Sequence, residues 1–84
     1  MNVVFYHNRN LILNIFSLKR IIINGQNYFI KEDINLFDLV TYFNYNDHLL
    51  VLEHNNLVQS KKTWKDILIK NQDKIEIVTI VGGG

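Results

Sequence analysis

The stretch KIEIVTIVGGG, residues 74–84, decides how this sequence is expected to fold. Its first eight residues alternate between two sets of side chains, which would lie on opposite faces of a β-strand. One set is Ile75, Ile77, Thr79 and Val81, and the other is Glu76, Val78 and Ile80. Because both sets are largely apolar, residues 74–81 are predicted to form a strand in the middle of a sheet rather than at its edge.

A β-hairpin is predicted near the other end of the domain, where regular structure is expected to start at Lys19. Residues 21–23 are three isoleucines, and β-branched residues of this kind favour strands. Asn24 and Gly25 follow, and both tolerate the positive φ angles of a two-residue hairpin turn. Strand-forming residues resume at positions 26–30, so the two segments are expected to pair.

One amphipathic helix is predicted after the hairpin. Asn35 is expected to be its N-cap, and Asp38 stands where a capping box requires an acceptor side chain. Apolar residues then recur with the spacing i, i+3, i+4 and i+7, which places them on one face of a helix. These residues are Leu36, Leu39, Val40 and Phe43. This face is expected to lie on the sheet, and the turn formers at 44–47 are expected to end the helix.

The rest of the sequence predicts one more strand, several turns and a short helical element. A third strand is expected at 49–53, followed by a turn at 55–56 and a short edge pairing at 57–58. A polar connection at 60–63 then leads to a helical turn from Trp64 through Leu68, and another turn is expected at 71–73. The whole order predicts an α+β fold of the β-grasp, or ubiquitin-like, type: a mixed sheet with one helix packed across it. Its first and last strands are expected to be parallel neighbours.

Size and composition limit the classes of function. A chain of 84 residues forms one small domain, here expected at 19–84, preceded by an extension at 1–18. That extension is interpreted as a frayed tail, an extra strand pair or a poorly ordered segment, and it lacks the pattern of a secretory signal. The net charge of +1 argues against electrostatic binding of nucleic acid. No apolar run approaches the ~18 residues that span a membrane.

The side chains that usually carry catalysis or bind metals form no recognisable site. The sequence contains no cysteine, which excludes a disulfide, a thiolate metal site and a cysteine nucleophile. Its histidines and aspartates are scattered, and neither Ser60 nor Thr63 has an evident base. They include His7, His48, His54, Asp33, Asp38, Asp47 and Asp66. An enzyme is therefore the least favoured class, and Trp64 is interpreted as a packing residue.

Two further features are open to more than one interpretation. The basic cluster of Lys61, Lys62 and Lys65 is either an ordinary solvated surface or a place where a partner docks. The three glycines at 82–84 are either a flexible end or a functional tail. Glycine has no Cβ, so a tail of this composition can pass through a narrow channel and leave its terminal carboxylate open to attack.

The same residues resemble those of the ThiS family, the sulfur carriers of thiamine thiazole biosynthesis, over about residues 20–84. Residues 74–84 are similar to the C-terminal end of the family, especially its cyanobacterial forms, and residues 23–25 to its opening strand and turn. Residues 51–55 followed by Trp64 resemble its middle strand and the tryptophan downstream. The family usually has a glycine where this chain has Asn56 and again where it has Gln72, and a Pro-Arg pair where it has Ser60-Lys61.

The resemblance implies a function for the glycine tail. An E1-like adenylating enzyme would adenylate the carboxylate of Gly84 with ATP, and sulfur from a persulfide enzyme would convert it to a thiocarboxylate. The thiocarboxylate would donate its sulfur to thiazole synthase. Gly82 and Gly83 would give the tail its reach. The chain would be a co-substrate that needs no cofactor and binds neither nucleic acid nor membrane.

The partner surface, the branch of the family and the compartment stay open at this point. Val78, Ile80 and Lys61 are candidates for the partner surface, although Val78 and Ile80 would equally fit a core. The small subunit of molybdopterin synthase, or another ubiquitin-like sulfur carrier, is the related alternative, and a β-grasp module that binds without covalent chemistry is the unrelated one. The resemblance to cyanobacterial forms, the composition rich in Asn, Ile and Lys that is typical of an AT-rich genome, and the missing secretory signal together suggest a plastid-encoded protein or a bacterial cytoplasmic one. Of the two, a protein of the plastid stroma is preferred.

Overall fold

The computed structural model describes the backbone of residues 5–6 and the whole of residues 18–43 and 50–80. These ranges contain six strands, one α-helix and one 3-10 helix. In chain order they are β1 (Phe5–Tyr6), β2 (Lys19–Ile23), β3 (Gln26–Ile30), α1 (Leu36–Tyr42), β4 (Leu50–His54), β5 (Leu57–Val58), the 3-10 helix (Lys61–Asp66) and β6 (Lys74–Thr79).

All six strands form one mixed sheet with the order β1-β3-β2-β6-β4-β5. β6 lies parallel to β2, with Ile22 opposite Lys74, and antiparallel to β4, with Leu52 opposite Ile77. The remaining neighbours are antiparallel pairs. The predicted β-grasp fold, the central position of the last strand and its parallel pairing with β2 are therefore confirmed.

The turn between β2 and β3 confirms the predicted hairpin and also ties it to β6. Asn24 and Gly25 have φ angles of 49° and 80°, as a two-residue turn of this kind requires. The Asn24 side chain accepts a hydrogen bond of 2.7 Å from the backbone N–H of Ile77. The backbone N–H of Asn24 donates to the carbonyl of Ile75. One asparagine thus closes the hairpin and joins it to the last strand.

The predicted capping box of α1 is present. The backbone N–H of Asp38 donates to Asn35 Oδ1 at 2.7 Å, and the backbone N–H of Asn35 donates to Asp38 Oδ2 at 3.1 Å. The predicted stripe is buried at its first three positions. Phe43, the fourth position, is the C-cap; it is half-buried and packs against the core, with its ring edge-on to Tyr28. The turn predicted at 44–47 lies outside the described residues.

The short helical element differs from its prediction. It begins at Lys61 rather than at Trp64, and it ends at Asp66, before Ile67 and Leu68. It begins early because the Thr63 N–H and hydroxyl both donate to the Ser60 carbonyl. It ends early because the chain then becomes extended and pairs with the start of α1, with Leu68 opposite Asn35.

The core lies between α1, the 3-10 helix and one face of the sheet. Trp64 is 1 % exposed, and its indole N–H donates to the Gln59 carbonyl at 3.0 Å, so the predicted packing role is confirmed. The buried apolar residues are Ile21, Ile23, Ile30, Ile34, Leu36, Leu39, Val40, Leu52, Trp64, Ile69, Ile75 and Ile77.

A buried carboxylate, that of Asp73, joins the β4–β5 turn to the loop before β6. Asp73 Oδ2 lies 2.8 Å from His54 Nε2 and accepts from the backbone N–H of Lys70 at 2.8 Å, and Oδ1 accepts from Asn55 Nδ2 at 3.0 Å. Burial alone would raise the pKa of Asp73, but the hydrogen bonds from Asn55, Lys70 and His54 outweigh it and hold that pKa below its usual value.

The segment before Lys19 contributes at least one strand. β1 pairs antiparallel with β3, with Phe5 opposite Ile30 and Tyr6 opposite Phe29. The other residues of the predicted extension, apart from Leu18, lie outside the described ranges. No helix in the part of the chain that the structure describes is long and apolar enough to cross a membrane.

Candidate functional site

The candidate site is the end of the sheet from which β6 leads into the glycines. β6 ends at Thr79, two residues before the predicted end, and the described chain stops at Ile80. Val81 and the predicted tail residues Gly82, Gly83 and Gly84 lie outside the described residues. Ile75 and Ile77 are buried on the inner face of β6, and both edges of this strand are paired. The segment that leads into the tail is therefore held by a central strand.

The outer face of the sheet carries an apolar patch beside this exit. Val78 and Ile80 are 56 % and 51 % exposed, so neither belongs to the core. Val51 lies opposite Val78 on β4, and Val58, 67 % exposed, lies diagonally across from Val51 on β5. We call Val51, Val58, Val78 and Ile80 the outer-face patch. A cluster of apolar side chains in this position offers area to a partner protein.

Two glutamates adjoin the outer-face patch. Glu53 on β4 lies directly opposite Glu76 on β6, and both are half-buried. Like charges facing each other across two strands repel and lower the stability of the sheet slightly. A cationic side chain from a partner would relieve that repulsion, so this side of the patch favours a partner with Lys or Arg.

A basic pocket lies on the helical side of the molecule. It is lined by Phe37, Ser60, Lys61, Lys62 and Lys65. Phe37 is half-buried, and Lys65 Nζ stands 4.8 Å from the centre of its ring, within the range of a cation–π contact. We call this set the basic pocket. Lys61, a predicted partner residue, belongs to it and is exposed.

The described side chains form no catalytic constellation around these surfaces. The Thr63 hydroxyl donates to the Ser60 carbonyl at 2.6 Å, which is a structural contact. His54 pairs with Asp73 at 2.8 Å, but no serine or threonine hydroxyl shares a hydrogen bond with this pair within the described ranges. No group of three or more His, Cys, Asp or Glu residues among those described could hold a metal ion.

Comparison with known proteins assigns the family. The model of the ThiS family matches residues 21–84, which is most of the chain and includes all three glycines. The chain belongs to the ThiS family. The match begins at Ile21, the first buried isoleucine of β2, and therefore excludes the whole of the segment before Lys19.

Relatives at the sequence level come from algae. The protein ycf40 of Trieres chinensis is 57 % identical over 70 residues, which cover 83 % of this chain and 96 % of the relative. Proteins of the same name from Porphyra purpurea and Pyropia yezoensis are 36 % and 33 % identical over 62 residues, covering 74 % of this chain and 87 % of each relative.

A solved structure shares the fold of this ThiS-family chain. The crystal structure of the thiamine biosynthesis protein ThiS from Geobacter metallireducens is similar with a TM-score of 0.69 at 20 % identity. The similarity covers 77 % of this chain and 99 % of that one.

The two positions at which the resemblance implies a glycine in the family have a left-handed backbone in this chain. Asn56 has a φ of 72° and Gln72 a φ of 71°. Asparagine tolerates this conformation better than most residues, whereas glutamine is strained in it. The Gln72 backbone N–H donates to the Arg20 carbonyl, which keeps the turn before β6 against β2. Both turns therefore survive the substitutions.

The sequence singled out Val78, Ile80 and Lys61 as candidates for a partner surface, but it did not indicate which residues surround them. Val51 and Val58 join the outer-face patch only through the register of β4 with its neighbours. Phe37 joins the basic pocket because α1 packs against the 3-10 helix. The alternation of side chains along β4 was an available signal for Val51, but the pairing of Val51 with Val78 is a long-range contact.

Proposed function

We propose that this protein is a sulfur carrier for the formation of the thiazole ring of thiamine, and that Gly84 carries the sulfur. The observation that supports this most is the ThiS-family match that extends through Gly84. The fold agrees with it, because the chain enters the glycine segment from a central, doubly paired strand. The protein is then a co-substrate that other enzymes act upon rather than an enzyme itself.

The proposed chemistry starts at the carboxylate of Gly84. On an E1-like adenylating enzyme, this carboxylate attacks the α-phosphorus of ATP, forming an acyl-adenylate and releasing pyrophosphate. The outer sulfur of an enzyme persulfide attacks the acyl carbon and releases AMP. A thiol then attacks the enzyme sulfur of this acyl disulfide, which breaks the S–S bond of the former persulfide, forms a disulfide with that enzyme and releases the thiocarboxylate. The sulfur of the thiocarboxylate passes to thiazole synthase. ATP is a substrate of the activating enzyme, and the carrier needs no cofactor of its own.

The three glycines fit this role because they have no side chains. The carboxylate oxygen of the last residue must reach the α-phosphorus of ATP, and sulfur must later reach the acyl carbon. A side chain on that residue would obstruct both approaches. Gly82 and Gly83 add the conformational freedom with which a tail can follow a narrow channel. The folded domain supplies the surface that the partner enzymes recognise.

The outer-face patch is the surface proposed to contact the adenylating enzyme. It adjoins the exit of β6, so an enzyme that holds the tail comes close to Val78 and Ile80. Changing both to serine removes apolar area without touching the core, since both are more than half exposed. We expect affinity for the enzyme to fall by about thirtyfold, because each of the two aliphatic side chains contributes roughly 1 kcal/mol to binding when buried.

A matched control for that experiment is Leu68→Ser. Leu68 is 57 % exposed, which is close to the value for Val78, but it lies beside the start of α1 rather than on the outer face. Its change should leave affinity within about twofold. Equal losses in the control and in the Val78→Ser/Ile80→Ser variant would contradict the assignment of the patch.

The covalent proposal is tested by the intact mass of the chain. Incubation with ATP, an E1-like adenylating enzyme and a persulfide donor should add ~16 Da, because sulfur replaces one carboxylate oxygen. Deletion of Gly84 should abolish the addition and leave the thermal unfolding midpoint unchanged. An unmodified mass, beside a ThiS carrier that is modified under the same conditions, would refute the proposal.

The compartment proposed for this protein is the plastid stroma. The relatives in three algae carry the name ycf40, which is used for plastid-encoded proteins, and this supports plastid encoding. Fractionation of algal cells with an antibody against the chain tests this. Recovery outside the plastid fraction would contradict it.

A further inference from the structure

We propose that the basic pocket binds an acidic segment of the enzyme that activates Gly84. This inference rests on the proposed function, because it concerns the same enzyme. It adds a second contact between the two proteins. This contact is electrostatic and lies on the helical side of the sheet, whereas the outer-face patch is apolar and lies on the opposite face. The residues involved are Phe37, Ser60, Lys61, Lys62 and Lys65.

The charge of the pocket is the first argument. Three of the nine Lys and Arg residues of the chain fall within five positions, 61–65. The described salt bridges join Lys19 to Asp33 and His54 to Asp73, so neither Lys62 nor Lys65 has a carboxylate partner in residues 18–43 and 50–80. The chain as a whole has a net charge of only +1, which makes this a local concentration of positive charge rather than a general property.

The shape of the pocket is the second argument. Phe37 gives it an apolar floor, and the Lys65 ammonium is placed over that ring at 4.8 Å. The Asn35 side chain donates to the Lys65 carbonyl at 3.2 Å, and this fixes the end of the 3-10 helix against the start of α1. The backbone that carries the lysines is therefore held in place, which lowers the entropy lost when a partner binds.

The position of the pocket is the third argument. The Gln59 N–H donates to the Leu52 carbonyl, so the chain continues alongside β4 past the end of β5. Continuing this register places Ser60 level with Val51, which lies opposite Val78. Two strand spacings of about 4.8 Å then separate Ser60 from the end of β6. An enzyme that holds the tail can reach the pocket without a large extension.

The chemistry of the occupant follows from these three features. Lysines bind carboxylates as point charges without fixed geometry, and an exposed pocket of this kind suits the flexible side chains of Asp and Glu in a protein loop. The contact is expected to act on the association rate and to weaken with salt, since exposed charges are screened within ~10 Å at 0.1 M ionic strength.

The test compares three variants in binding to the adenylating enzyme. Lys62→Glu reverses one charge of the pocket, and Lys62→Arg keeps it. Lys31→Glu makes the same change of net charge at an exposed position after β3, at the end of the sheet away from the β6 exit. We expect Lys62→Glu to lower affinity about tenfold in 50 mM salt, and the other two to stay within about twofold of wild type.

Salt and modification complete the experiment. In 500 mM salt the difference between Lys62→Glu and wild type should shrink to about twofold, because exposed charges are screened. At saturating enzyme, Lys62→Glu should gain the same mass as wild type, since the tail is intact. An affinity of Lys62→Glu equal to wild type, a loss equal to that of Lys31→Glu, or a loss that persists in high salt would overturn the inference.

The outcomes also separate this inference from the proposed function. If wild type is modified and Lys62→Glu binds as tightly as wild type, only the role of the basic pocket is refuted. If wild type is neither bound nor modified by the enzyme, both proposals fall. Circular dichroism and thermal unfolding of each variant establish that the loss of affinity comes from the surface and not from the fold.

Discussion

Replacing Asp73 by alanine should destabilise the fold more than its small size suggests. The carboxylate accepts from the Lys70 backbone N–H and the Asn55 amide, and it also pairs with His54 Nε2. Alanine leaves all three groups without this acceptor. A hydrogen bond to a charged group contributes about 1.5–3 kcal/mol, and the exposed Asn55 can turn to water instead, so we expect a total loss of about 2–4 kcal/mol.

A loss of this size has a large effect because a domain of 84 residues is only marginally stable. A single small core rarely supplies more than about 3–5 kcal/mol, so Asp73→Ala should leave a substantial fraction of the chain unfolded at 25 °C. Urea unfolding followed by the fluorescence of the buried Trp64 measures the change. The indole is 1 % exposed in the folded state, so its emission should shift strongly when the chain unfolds. A loss below about 1 kcal/mol would refute the role assigned to the carboxylate.

The dependence on pH isolates the charge of Asp73. Its pKa is lower in the folded chain than in the unfolded chain, where it is about 3.9. The stability that this shift provides is present above the unfolded pKa and is lost as the pH falls through the folded pKa. The difference in unfolding free energy between wild type and Asp73→Asn should therefore be constant near pH 6 and shrink below about pH 4. A difference that does not change with pH would refute the reasoning.

Three other substitutions test local features of the fold. Gln72→Gly should stabilise the chain by about 0.5–1 kcal/mol, because it relieves a φ of 71°; a lower urea midpoint would contradict this. Asn35→Ala should lower the free energy of unfolding by about 1–2 kcal/mol, because it removes the capping box with Asp38. Circular dichroism at 222 nm should show the loss of helix, and unchanged stability would argue against the cap. Trp64→Phe should lower the free energy of unfolding by about 1–2 kcal/mol, because the Gln59 carbonyl loses its indole donor. An unchanged free energy of unfolding would mean that this hydrogen bond does not stabilise the fold.

The local parts of the fold could be predicted from the sequence because their causes are local. Asn24-Gly25 closes a hairpin with residues that accept positive φ, and Asn35 with Asp38 starts a helix through side chains three positions apart. The central place of β6 followed from apolar residues on both of its faces. The outer face of β6 is nevertheless exposed at Val78. The apolar residues on that face therefore lie on the molecular surface and are not covered by a second layer of the fold.

The parts that were missed depend on contacts between distant segments. The 3-10 helix begins at Lys61 because of Thr63, and it ends at Asp66 because the following residues pair with the start of α1. The cluster around Asp73 brings together residues 18 positions apart, and nothing in the local pattern marks them as partners. The outer-face patch and the basic pocket have the same origin, since strand register and helix packing assemble both.

The central claim is that Gly84 carries sulfur as a thiocarboxylate, and fragmentation of the modified chain in a mass spectrometer tests it most directly. After reaction with ATP, the adenylating enzyme and a persulfide donor, the added ~16 Da should be found on the fragment that contains Gly84 and on no fragment that lacks it. Addition of thiazole synthase with its other substrates should then return the chain to its original mass. An added mass on another residue, or a chain that stays unmodified beside a working ThiS carrier, would contradict the claim.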